Sequence, residues 1–90
     1  IYRKPNETEM NALNDLVSLL SSLDEKLTPS EIQTEVFTIG KKYYPKEKLR
    51  DWFKAIYEIV FGDQQGPRMG SFIKFYGTKE TKELIESKIK

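Results

Sequence analysis

The sequence contains neither cysteine nor histidine. Without cysteine there can be no disulfides and no thiolate metal sites, a composition that fits a reducing compartment, and a cytoplasmic location is expected. Without histidine the commonest general base and the commonest zinc ligand are gone, and so is any Ser–His or Cys–His nucleophile pair. No apolar run approaches the roughly 20 residues of a membrane span, and no signal-peptide pattern opens the chain, so no membrane partner is expected. An excess of charge is also missing. Fifteen basic residues face fourteen acidic ones, leaving +1. That is not the strongly basic total of a protein that holds nucleic acid by bulk charge, so RNA affinity requires a local cluster.

Nucleotide and metal chemistry find little footing. The segment GDQQGPRMG, residues 62–70, carries three glycines. Their spacing fits neither a Walker loop nor a dinucleotide fingerprint, and the segment follows a helix rather than a strand. It reads as a helix cap, a turn and a tight helix crossing. Asp15, Asp24 and Glu25 are scattered acids on solvent faces, so no metal site, catalytic residue or cofactor is expected within these residues.

What remains is a helical pattern in a chain of 90 residues, 38% apolar and 32% charged, the balance of one globular domain. The first residue is isoleucine, which suggests a piece of a longer protein. Residues 1–5 read as a disordered lead-in. Asn6 with Glu9 three residues on forms a capping-box pair, and the apolar spacing after it predicts a helix over 7–23. Thr28, Pro29 and Glu31 supply an N-cap, a first-turn proline and an N3 acid for a second helix. Its stripe is Ile32, Val36, Ile39 and Tyr43, with Gly40 marking a close helix crossing or early fraying, and Pro45 ends it. A third helix opens at Pro45. Leu49, Trp52, Phe53, Ile56, Ile59 and Val60 make its apolar side, and Gly62 its left-handed C-cap. Pro67 opens a fourth helix with Met69, Phe72, Ile73 and Tyr76 inward, which Gly77 closes. Thr78 then caps a fifth. No segment alternates with period two, so the expected fold is all-α, a compact array of about five short helices.

Aromatic residues, 12% of the chain, separate into two groups. Trp52, Phe53, Phe72 and Tyr76 sit on buried stripes. Tyr57 shares a helix side with Arg50 and Lys54, and Phe75 follows Lys74 on the side of the fourth helix away from its stripe. Exposed rings interleaved with Lys and Arg can stack unpaired bases and track phosphates. The plainer alternative is partial burial beside surface lysines. Arg68 is one of three arginines and falls in the expected first turn of the fourth helix, where the dipole disfavours a cation. A specific partner is therefore expected: a phosphate, a base edge or a carboxylate such as Asp63.

The run RDWFKAIYEIVFGDQQGPRMGSFIKFYG, residues 50–77, resembles the C-terminal region of class I lysyl-tRNA synthetases. The similarity lies in Arg50, Trp52, Phe53, Ala55, Ile56 and Tyr57. It continues through Gly62, Gly66, Pro67, Arg68, Gly70, Ser71, Phe72, Tyr76 and Gly77. It extends over about residues 27–85, and a weaker version is similar to the end of glutamyl-tRNA synthetases. The resemblance implies one C-terminal helical domain over residues 1–90, part of an α-helical cage that receives a tRNA anticodon stem-loop. It implies a parent enzyme that uses ATP to join lysine to tRNA on upstream domains. The HIGH-like and KMSKS-like motifs of that catalytic half do not occur here. Arg50, Lys54, Tyr57, Arg68, Lys74 and Phe75 are the candidate tRNA contacts. Trp52, Phe53, Gly62, Gly66, Pro67, Gly70, Phe72 and Gly77 are the expected structural residues. The rival reading is a helical scaffold or protein-interaction module that touches no RNA, which the near-neutral charge favours.

Overall fold

Two capping boxes start the first two helices, and both form by the same local exchange. Asn6 Oδ1 accepts from the Glu9 amide at 2.8 Å while Glu9 Oε1 accepts from the Asn6 amide at 2.9 Å. Thr28 and Glu31 repeat the arrangement at 3.1 and 2.9 Å. Each box satisfies two amides that a helix start would otherwise leave unpaired. Helix α1 therefore runs Glu7–Ser22 and α2 runs Pro29–Tyr43. Tyr44 turns extended ahead of Pro45, at φ −125° and ψ 140°, because the proline ring disfavours a helical residue before it.

The computed structural model describes residues 2–90. Ile1, the first residue of the expected lead-in, lies outside them. Residues 2–5 form no helix, yet Arg3 places Nη1 and Nη2 on the two Glu9 oxygens at 2.7 and 2.8 Å, and Nε on Glu58 at 2.9 Å. The Tyr2 ring lies 3.8 Å beneath Lys88 Nζ.

The third helix is less regular than its spacing suggests. After Pro45 comes one 3₁₀ turn, Lys46–Lys48, then α3, Leu49–Ile56, which widens into a π-helical turn, Tyr57–Phe61. Gly62 ends it at φ 73°, in the left-handed region that favours glycine. Helix α4, Met69–Tyr76, and α5, Thr78–Ile89, complete an all-α array, with no strand among the described residues. Thr78 is not a side-chain cap: it is the first residue of α5, with Gly77 at the N-cap and no side-chain cap bond. Arg68 likewise is not a first-turn residue but the extended N-cap of α4.

Trp52 stands at the centre, fully buried, with Nε1–H donating to Val36 O at 3.0 Å. Leu13, Leu16, Ile32, Val36, Ile56, Ile59, Met69, Ile73 and Ile85 surround it with apolar side chains from α1, α2, the third helix, α4 and α5. Helix α4 crosses α2 closely. The Gly70 amide donates to Gln33 Oε1 at 2.6 Å, and a Cβ on Gly70 would stand 2.8 Å from Gln33 N and run into Pro29 O. Tyr76 departs from expectation: it ends its helix half exposed, not buried. The fourth stripe position lies at the far end of α4 from the Gly70 crossing, where α2 no longer covers it.

Candidate nucleic-acid interface

The outer side of the third helix brings three of the six candidates together. Arg50, Lys54 and Tyr57 line one open cavity of about 290 Å³ with Phe53, Gln64 and Gln65. Spacing explains the first step: residues 50, 54 and 57 fall within two turns on one side. The loop explains the second. The Tyr57 ring lies on Gly66 so closely that a Cβ there would stand 2.5 Å from Tyr57 Cδ1. The Asp63 amide donates to Tyr57 O at 3.3 Å, folding the loop back over the π turn. Gln64 and Gln65, two amides able both to donate and to accept, are thereby carried to the cavity rim. Tyr57 is half buried and burial pushes its phenol pKa up, so it stays a neutral donor. The cavity offers two cations, one ring face and two amides in one place.

The other candidates do not join this cluster. Lys74 donates from Nζ to Glu25 O and lines a different cavity, with Glu25, Ile32, Ile73 and Thr78. It ties α4 to the turn between α1 and α2. Phe75 is 82% exposed. Arg68 is exposed, and its side chain makes no hydrogen bond or ion pair among the described residues, Asp63 included.

Sequence reasoning passed over a row of rings. Tyr57 and Phe61 stand 6.4 Å apart by ring centroids, Phe61 and Phe72 5.1 Å edge-to-face, and Phe72 and Tyr76 4.8 Å stacked at 21°. Phe61 had no place in the α-helical stripe. Phe61 closes the π turn and its ring meets Phe72. The nearest signal in the sequence was the i, i+4 aromatic pair 57 and 61.

A second charged cavity is bordered by Arg3, Glu9, Tyr44, Asp51, Lys54 and Glu58. Here Arg3 beside Glu9 holds the Glu9 carboxyl below its ordinary range. The arginine's own pKa is raised by the same pairing. Its charge is spent internally on two carboxylates.

The comparisons bear on what such a surface is for. A lysine–tRNA ligase of Rickettsia felis is 42% identical over 88 residues, 98% of this chain and 17% of the ligase. One from Rickettsia bellii shows the same identity and coverage. One from Rickettsia conorii is 38% identical over 89 residues. By sequence, nearly the whole chain is similar to lysine–tRNA ligases. It spans about a sixth of their length, 17% of the Rickettsia felis ligase. The match takes in nearly all of the residues before 27, where the sequence alone offered only a generic amphipathic helix. No family model matches the chain, and no solved structure matches it.

Proposed function

We propose that these residues are the anticodon-recognising part of a lysine–tRNA ligase, the class I enzyme that the wording of residues 50–77 resembles. In this reading the parent joins lysine to tRNA at the expense of ATP, releasing AMP and diphosphate. That chemistry belongs to upstream domains, against which this helical array is held. The observation that carries the reading is the Arg50–Lys54–Tyr57 cavity, set within a segment so similar to ligases of this name. Two cations beside one ring face suit an RNA loop: phosphates meet the cations, and an unpaired base meets the ring. Arg68, exposed and without an internal partner, extends the cationic surface. Lys74 is the weakest of the four basic candidates, because its ammonium is engaged by the Glu25 backbone carbonyl.

The scaffold reading has one observation in its favour. Arg3 is absorbed by carboxylates, and the net charge is only +1. Titrating the chain with a lysine-tRNA anticodon stem-loop, followed by amide NMR shifts, separates the two. Shifts concentrated on residues 50–57 and 64–68 support RNA contact, and a silent spectrum supports the scaffold. Arg50→Ala and Lys54→Ala should each weaken binding and each lower the dependence of log K on log salt by about one.

A further inference from the structure

The row of rings has two unlike ends. Tyr57 is half buried among Arg50, Lys54 and the Gly66 backbone. Tyr76 is 50% exposed with one ring face laid on Phe72, so its solvent-facing surface is the opposite face and the hydroxyl edge. Phe72 is itself held edge-on by Phe61, which the π turn fixes. Phe72 and Tyr76 follow at i and i+4, so they share one side of α4. An aromatic ring fixed on one face and open on the other is a preorganised stacking surface. It loses little rotamer freedom when a second planar group is added. Phe75, its neighbour, has greater exposure at 82%, but no ring–ring contact holds it.

We propose that Tyr76, backed by Phe72, is a stacking platform for one unpaired RNA base. The row Tyr57–Phe61–Phe72–Tyr76 then sets the path of the strand between that base and the Arg50/Lys54 cluster. The inference rests on the tRNA reading above and adds a second contact point. The occupant is single-stranded RNA, not an apolar helix, because two cations without ion-pair partners among the described residues, Arg50 and Lys54, stand at the Tyr57 end of the row. An apolar peptide would leave those charges without partners, whereas a phosphate backbone neutralises them. Phe75, by this geometry, is not the stacking ring.

The test uses the 90-residue chain and a lysine-tRNA anticodon stem-loop. Stacking of one base on an aromatic contributes about 1–3 kcal/mol, so Tyr76→Ala should weaken binding by about 5- to 160-fold. Tyr76→Phe, which keeps the ring, should stay within about twofold. In the complex of the unaltered chain, NOEs should join Tyr76 ring protons to the H5, H6 or H8 proton of one loop base. Those NOEs keep the test valid if Tyr76→Ala is poorly folded. If Tyr76→Ala binds normally, or the NOEs fall on Phe75, while Arg50→Ala and Lys54→Ala still weaken binding, the platform is wrong and the tRNA reading stands. If the unaltered chain does not bind the stem-loop at all, both fall.

Discussion

At the residue scale, three positions carry tests of how the array is held. Gly70 is where α4 meets α2, and a methyl group there collides with Pro29 O and crowds Gln33 N at 2.8 Å. Both obstacles are backbone and cannot rotate away. Gly70→Ala should therefore cost about 1–3 kcal/mol, the range for overpacking, read as a lower urea midpoint in the emission of the buried Trp52. Tyr44 is the opposite case. Its hydroxyl is buried with no hydrogen-bond partner among the described residues, and burial pushes its pKa up. Tyr44→Phe should leave stability unchanged or raise it by up to about 1 kcal/mol, because it removes a desolvated group and keeps the ring against Trp52. Glu9 sets a pH dependence. Its folded pKa lies below its unfolded value, chiefly through the hydrogen bonds from Arg3. Its contribution is therefore complete above the unfolded value near 4.3 and fades as pH falls through the folded one. Glu9→Gln keeps the capping bond to Asn6 but not the charge. It should cost about 1 kcal/mol at pH 7, a modest figure because Arg3 is 40% exposed, and almost nothing at pH 2. Thermal midpoints of the two proteins across that range are the check.

Legibility follows the reach of each interaction at the scale of elements. The starts of α1 and α2 were readable because a capping box is completed within four residues, at Asn6–Glu9 and at Thr28–Glu31. Thr28→Ala should consequently cost about 1 kcal/mol, measurable by denaturant unfolding. The stop at Tyr44 and the left-handed Gly62 were readable for the same reason, since proline and glycine act on their own backbone. The third helix was readable in position and inward face but not in form. The 3₁₀ entry and the π exit left no local signature in the spacing. Phe61 lay off the inward stripe, and its contact with Phe72 joins residues eleven apart, so the ring row was not legible. The start of α4 was misplaced by two residues because Pro67 suits an extended approach as well as a first turn, and Arg68 moved with it. Of the candidate cluster, Arg50, Lys54 and Tyr57 could be grouped from spacing alone. Gln64 and Gln65 could not, since they reach the cavity only because Gly66 admits the Tyr57 ring.

The whole molecule carries a net charge of only +1, and few of its charges are paired internally. Arg3 is neutralised by Glu9 and Glu58, Lys42 by Asp15, and Lys90 by Glu86. Arg50, Lys54 and Arg68 make no ion pair among the described residues, and Arg50 and Lys54 line the cavity at the Tyr57 end of the aromatic row. The most direct measurement is the affinity of the 90-residue chain for a lysine-tRNA anticodon stem-loop beside a stem-loop of the same length with a scrambled anticodon. Tighter, saturable binding of the lysine loop, weakened by salt, is the result expected. Equal affinity for the two loops, or no binding of either, would contradict the account.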